Sequence, residues 1–164
     1  MLFSRMTSSL WSWESKLAEI SNFDKKMFRK ARKIAETSDF EHFHLGCVIT
    51  YKRHVLSAAS NSNKTHPKQK YYNHKFREFR RGSKPSAHTV HAEMAAISDI
   101  PYPVGIQVDW KDVNVYVYRI AHGIPSGHGM ARPCPACMAA LKNLGIRNIY
   151  YTTDAGYAYE RLDD

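Results

Sequence analysis

The sequence predicts an α/β fold from three observations. Segments of strand character recur at 44–51, 54–60, 112–120 and 147–152, and segments of helical periodicity lie before and between them. The resulting order is helix, strand, strand, helix, strand, helix, strand. Its closing strand–helix–strand–helix–strand run implies a parallel portion of sheet. The opening pair of strands implies a hairpin that adds an antiparallel edge, with helices covering both faces.

Residues 1–21 read as an N-terminal extension and 22–164 as the functional domain; Trp11 and Trp13 in the extension are suited to docking on the domain or on another subunit. Over 22–37, Met27, Ala31, Ile34 and Ala35 fall at helical spacing while Lys25, Lys26, Arg29, Lys30, Arg32 and Lys33 cover the rest, so an amphipathic helix is expected, capped by Ser21 or Asn22. Between the first two strands stands Lys52-Arg53, which has to serve as the turn although neither residue favours one. Gly46 and Cys47 are small enough for a helix to pack closely, and Cys47 reads as a core residue.

The connection 61–88 is long and basic: Lys64, Lys68, Lys70, Lys75, Arg77, Arg80, Arg81 and Lys84 face a single acid, Glu78, with Tyr71, Tyr72, Phe76 and Phe79 interleaved. Part of it, around 69–80, is expected to be helical. A helix is expected over 89–98, capped by Thr89 or Ser86. Along 112–120, Val113, Val115 and Val117 alternate with Tyr116 and Tyr118, as in a strand covered on both faces. The glycine-rich stretch 121–132 reads as a loop, 134–144 as a helix ended by Gly145, and 147–152 as a strand. Residues 153–164 receive no element, and a fifth strand there is expected to be short or absent.

The chain of 164 residues is long enough to bury a core without disulfide help. Its net charge of +9 and isoelectric point of about 9.5 favour anionic partners such as nucleotides or nucleic acid. The cysteines are Cys47, Cys134 and Cys137, a poor disulfide framework but a plausible metal site, which points to a reducing intracellular setting. No apolar run approaches a membrane span, so a soluble, cytoplasmic protein without a membrane partner is expected.

Two short segments carry the chemistry: His91-Ala92-Glu93 and Pro133-Cys134-Pro135-Ala136-Cys137. His91, Cys134 and Cys137 are good zinc ligands, and three protein ligands leave a fourth position for water. Glu93 is a carboxylate that need not bind the metal and can move that water's protons. Each segment opens a predicted helix, whose positive end favours thiolate. The spacing of the two cysteines sets both sulfurs on one side of the first turn, where Pro135 is tolerated. A C-x-x-C pair by itself also suits a structural zinc knuckle or a redox dithiol. The first needs two further ligands, and the second leaves His91-Ala92-Glu93 unexplained. The joint pattern H-x-E…P-C-x-x-C is the signature of zinc deaminases.

On these motifs and on the order of its elements, the chain resembles the cytidine deaminase-like superfamily over residues 24–152. The likeness is to the branch whose first zinc ligand is histidine, which includes deoxycytidylate, tRNA adenosine, guanine and polynucleotide cytosine deaminases. The resemblance implies a three-layer α/β/α fold with a mixed sheet of five strands and assembly into homo-oligomers. It implies Zn2+ held by His91, Cys134 and Cys137, with Glu93 as the proton shuttle. It also makes Asn61, in Ala59-Ser60-Asn61, a candidate for contacting the substrate sugar, with a turn role as the alternative, and sets the backbone N–H of Ala92 opposite the base carbonyl.

The expected reaction is hydrolytic deamination of a nucleobase, with a cytosine nucleotide such as deoxycytidylate as the leading substrate. Lys64, His66 and Lys68 could meet its phosphate. The alternatives are a deaminase of cytosine or adenine in single-stranded DNA or RNA, for which the basic and aromatic stretch 68–81 has the right composition, and a non-catalytic nucleic-acid-binding protein that keeps zinc for structure.

Overall fold

Val113, Val115 and Val117 alternate with Tyr116 and Tyr118 along the strand at the middle of the sheet, and both sets are buried. A strand buried on both faces requires a layer on each side of it, and the computed structural model has both. It describes residues 19–77 and 88–162. The expectations for residues 1–18, including Trp11 and Trp13, and for 78–87, including Phe79, Arg80, Arg81, Lys84 and Ser86, lie outside the described residues.

The elements are α1 (Asn22–Ala35), β1 (His44–Tyr51), β2 (His54–Ser60), α2 (Pro67–Phe76), α3 (Ala92–Ser98), the short α4 (Tyr102–Gly105), a 3₁₀ turn (Trp110–Asp112), β3 (Val113–Ile120), β4 (His128–Gly129), α5 (Pro135–Leu144), β5 (Asn148–Thr152) and β6 (Tyr157–Arg161). Five strands run across the sheet in the order β2-β1-β3-β5-β6, and β4 adds a short pairing to the end of β3. β1 is antiparallel to β2 and β3, β3 is parallel to β5, and β6 is antiparallel to β5. The fold is thus α/β with the expected mixed sheet, hairpin edge and parallel portion.

α1 covers one face. Met27, Phe28 and Ala31 pack with Val48, Tyr116 and Tyr118. Phe28 takes the place that the spacing assigned to Ile34, which is only half-buried. Ser21 and Asp24 form a reciprocal cap at the helix start, each side chain accepting from the other's backbone N–H at 3.1 Å. The other carboxylate oxygen of Asp24 accepts from the Tyr116 hydroxyl at 2.7 Å, tying the helix start to the sheet. Gly46 allows the close approach. A Cβ at this position would overlap the Ala31 carbonyl oxygen and lie 2.6 Å from the Ala35 nitrogen.

α3 and α5 cover the other face, where Met94, Ile97, Cys137 and Leu141 meet Cys47, Ile49, Val115, Ile149 and Tyr151. Cys47 is fully buried, as expected of a core residue. α2 lies outside this layer, against α5.

Several boundaries differ from those expected. α3 begins at Ala92 rather than near 89, because Thr89 forms an isolated bridge to Thr65 and Val90 exchanges backbone hydrogen bonds with Ser62 and Lys64. The cap is therefore His91, not Thr89. The helix in the basic connection runs from Pro67 to Phe76. A fifth full strand is present at Tyr157–Arg161. Ala158 and Glu160 face the core side while the Tyr159 ring packs, tilted, against Tyr150, an alternation legible in Tyr-Ala-Tyr-Glu after the Asp154-Ala155-Gly156 turn.

Lys52 and Arg53 close the first hairpin with positive φ angles of 47° and 68°. This left-handed pair matches the twist of the strands but suits asparagine and glycine better. Replacing Lys52-Arg53 by Asn-Gly is expected to stabilise the protein by about 1 kcal/mol, read as a raised urea midpoint. Gly46→Ala is expected to cost about 1–3 kcal/mol in the same measurement, since the opposing atoms are helix backbone and cannot swing away.

Candidate metal centre and cleft

β2 and β3 run parallel with β1 between them; α3 follows β2 by way of α2, α5 follows β3 by way of β4, and both helices pack on the same face of the sheet. Both helices start at the same edge, beyond the carboxyl ends of those strands, where open α/β sheets form clefts. His91 is the N-cap of α3 and Cys134 the N-cap of α5; both have extended backbone (φ −79°, ψ 156° and φ −67°, ψ 165°). The His91 ring makes no capping bond to its own helix, and it faces the Cys134 thiol across the gap between the two helix starts. Cys137, three residues on, joins them from the first turn of α5.

The His91 Nδ1 atom lies 3.5 Å from each of the two sulfurs. The three donor atoms lie within 4.8 Å of one another and are the sole histidine, cysteine or carboxylate group among the described residues arranged to hold a metal ion. With metal–ligand bonds of about 2.0–2.1 Å to nitrogen and about 2.3 Å to sulfur, tetrahedral angles put such atoms about 3.5–3.6 Å apart. The donor set and its spacing therefore fit zinc.

The electrostatics follow from crowding. The Cys137 thiol donates toward Cys134, and this bond, reinforced by His91, holds the Cys134 thiol down at about 4 despite burial. The Cys137 thiol is pushed up by that same bond and by burial. The pair thus shares one negative charge, and a divalent cation would let both sulfurs ionise. Burial opposes a charge on the His91 ring, but the bond to Cys134 and the charge of Glu93 outweigh it and move the ring's pKa up. Glu93 is 3% exposed, and burial raises its carboxyl to about 6, opposed by His91.

The cleft above the cluster has a volume of about 210 Å³. Its floor is Val90 to Glu93 and Cys134, and its walls include Phe40, Phe43, Asn61, Arg77, Arg119 and Arg132. His91, Ala92, Glu93, Cys134 and Asn61, all named from the sequence, therefore line one cavity, and the Cys137 sulfur adjoins it through His91. Asn61 is buried and largely engaged by the protein: its Oδ1 accepts from Leu45 N–H at 2.9 Å and from Ser38 Oγ at 2.6 Å, and its Nδ2 donates to Phe43 O at 3.0 Å. One Nδ2 hydrogen has no further partner among the described residues. Lys64 and His66 line a different cavity, beside the first turn of α2 and away from the metal cluster.

Of the cations at the cleft, Arg77 belongs to the basic stretch 68–81, whereas no sequence motif marks Arg119 and Arg132. Arg119, at the end of β3, lies over the Phe43 ring at 5.1 Å and has no carboxylate partner among the described residues. Arg132, directly before Pro133, makes a two-pronged bond to Glu160 of β6 at 2.7 and 3.1 Å. Arg77 follows α2. The lip between Arg119 and Arg132 is tied down by Thr152, whose Oγ1 accepts from Arg119 N–H and donates to Gly129 O, and whose carbonyl accepts from Ala131 N–H.

The buried face of α2 was also missed. The half-buried Tyr72 packs against the core at its margin, but Tyr71 and Phe76, 53% and 48% exposed, do not form it. Gln69 and Asn73, both fully buried, do.

The cytidine deaminase of Burkholderia pseudomallei superposes with a TM-score of 0.56 at 13% identity, covering 87% of this chain and 93% of that one. The apo dCMP deaminase of the cyanophage S-TIM5 superposes at 0.50 and 13% identity, covering 82% and 86%. At such identity the likeness speaks for the fold alone. No curated protein sequence matches the chain significantly. The family model for the cytidine and deoxycytidylate deaminase zinc-binding region matches residues 21–153. The match spans both motifs and nearly all of the sheet, and the chain therefore belongs to the cytidine and deoxycytidylate deaminase family, with histidine as the first member of its His/Cys/Cys cluster.

Proposed function

We propose that this protein is a zinc-dependent hydrolytic deaminase of a cytosine nucleotide, with deoxycytidylate as the leading substrate. The observation that carries the proposal is the placement of the His91, Cys134 and Cys137 cluster, with Glu93, at the base of a small cleft walled by arginines. His91, Cys134 and Cys137 hold the zinc, which when bound supplies the Lewis acidity that makes water nucleophilic at neutral pH.

The chain's own residues do the rest. Glu93 accepts the proton of the attacking water, passes it to the ring nitrogen beside the amino-bearing carbon, and delivers the next to the departing ammonia. Its burial keeps bulk water from competing for those protons. The Ala92 N–H faces the base carbonyl. The unused Nδ2 hydrogen of Asn61 meets the sugar while its other bonds hold the amide rigid. Arg119 supplies the phosphate contact, since its guanidinium is oriented by Phe43 and is not paired to a carboxylate among the described residues. This replaces Lys64, His66 and Lys68, given as phosphate contacts on sequence grounds. Lys64 and His66 belong to another cavity, and Lys68 does not line the cleft.

One observation favours a second reading, a deaminase of a base in single-stranded nucleic acid. Tyr71 and Phe76 stand exposed on α2, Lys75 lies over the Tyr71 ring at 4.9 Å, and the helix leads to Arg77 at the cleft. Exposed rings among cations are the elements of a stacking platform.

Three measurements test these readings. Glu93→Gln is expected to lower ammonia release by about 10²-fold or more while zinc content and thermal stability stay as in the wild type; unchanged turnover removes Glu93 from the chemistry. Arg119→Ala is expected to lower kcat/KM for deoxycytidylate by about 10- to 100-fold, as loss of a charged hydrogen bond does, and to spare deoxycytidine; equal losses on both would remove the phosphate role. Between 50 and 200 mM salt, activity on deoxycytidylate is expected to change little. A loss of about 10³-fold or more in oligonucleotide affinity over the same range, with turnover of oligonucleotides, would favour the second reading.

A further inference from the structure

α2 belongs to the basic connection, and its buried side is a row of amides where a helix of this kind normally buries apolar groups. The Oε1 of Gln69 accepts the backbone N–H of His91 at 3.0 Å. The Nε2 of Gln69 donates to Asn73 Oδ1 at 2.9 Å, and the Nδ2 of Asn73 lies 3.2 Å from His88 Nδ1. Gln69 and Asn73 are fully buried and His88 is 6% exposed.

The direction of this chain follows from elimination. A backbone N–H only donates, so the Gln69 oxygen must face His91 and its nitrogen must face Asn73. The Asn73 oxygen then accepts, its nitrogen donates, and His88 Nδ1 must be an acceptor. His88 is therefore neutral with its proton on Nε2. Its pKa is drawn down by burial first, then by His74, Lys70 and Arg77, in keeping with this. Each amide is locked in one orientation by the next.

The His91 N–H is the group at stake. As the N-cap residue of α3, His91 has no partner for this donor inside its own helix. Left alone in a buried setting, the peptide would turn to find one, and the ring would turn with it. A second link joins the same helix to the cleft: Arg77, which lines it, lies 3.5 Å from Asn73 Oδ1, at the long limit of hydrogen bonding.

We infer that Gln69, backed by Asn73 and His88, is a positioning residue of the metal centre: it fixes the peptide of His91 and so sets how long the zinc is retained. The inference rests on the reading of His91 as a zinc ligand. Gln69 touches neither the metal nor the substrate. It acts through the peptide of His91, so its loss should register in metal retention before it registers in stability. Groups that orient metal ligands in this way change metal affinity by about 10- to 100-fold when removed.

The test uses the full chain loaded with zinc, with metal content measured by elemental analysis and release followed with a chromogenic chelator. Gln69→Met keeps the size of the side chain and removes the acceptor; it is expected to release zinc about 10- to 100-fold faster than the wild type. Gln69→Glu keeps an oxygen toward His91 and is expected to release zinc more slowly than Gln69→Met. Asn143→Ala is the control for packing alone, because it breaks the 3.2 Å bond from Asn143 Nδ2 to Tyr72 OH that joins α5 to α2 but leaves the amide row intact. It is expected to lower the melting temperature without speeding release.

Should Gln69→Met fail to fold, Asn73→Ala decides. It frees the Gln69 amide to rotate and is expected to speed release less than Gln69→Met but more than Asn143→Ala. Release from either variant at the wild-type rate, or no faster than from the control, overturns the inference. A wild-type chain that binds no zinc at all overturns the metal reading of His91 instead, so the two failures are told apart.

Discussion

Everything in the site depends on holding three electron-rich donor atoms closer together than they would stay unaided. The two sulfurs repel once both are ionised, and nothing local in the sequence compels them and the imidazole nitrogen to meet within 4.8 Å. The protein meets this constraint with backbone. His91 and Cys134 are both N-cap residues, so each departs from its helix in extended conformation and its side chain crosses the helix tip. Unpaired amide N–H groups at those tips favour negative charge, which makes the tip of α5 a tolerable place for thiolate. The two tips coincide because β2 and β3 run in the same direction and the helices that follow them pack over the same face.

Side-chain size makes this convergence possible. Where α3 and α5 approach each other and the sheet, the buried residues include Ala92, Ala96 and Ala140. On the opposite face Gly46 lets α1 sit against β1 with backbone in contact. Close packing on both sides leaves the sheet little freedom to flex, and a rigid sheet keeps the two helix starts in register. Cys47 belongs to this support. It is fully buried, and burial, with Glu93 nearby, pushes its thiol well above the ordinary range, so it remains a small apolar residue.

Much of the cleft wall comes from segments outside the two core layers. α2 buries the amides of Gln69 and Asn73 and leaves Tyr71 and Phe76 exposed, the reverse of what its composition suggests. The reason is local demand: the peptide of His91 needs an acceptor, and a buried amide is tolerated when every one of its groups is paired. β6 plays a comparable part on the other side. Its Glu160 is buried and holds Arg132 beside Cys134 with two short bonds, so the last strand fixes a cation at a site that lies far from it in sequence.

Local chemistry was enough to identify the layers, the hairpin, the parallel portion and the cluster of His91, Cys134 and Cys137. Periodicity is a property of neighbouring residues, and a metal motif is written in spacing along the chain. The same reasoning misplaced the start of α3 and left β6 unassigned, because short elements draw their stability from partners elsewhere. Thr89 is held extended by Thr65, and β6 exists as a full strand because β5 offers it an edge. Only the tertiary structure brought Gln69 to His91, Arg119 over Phe43, and Glu160 to Arg132. Each is a pairing of groups distant in sequence, and the hydrogen bonds and charges that join them act through space, leaving no periodic trace along the chain.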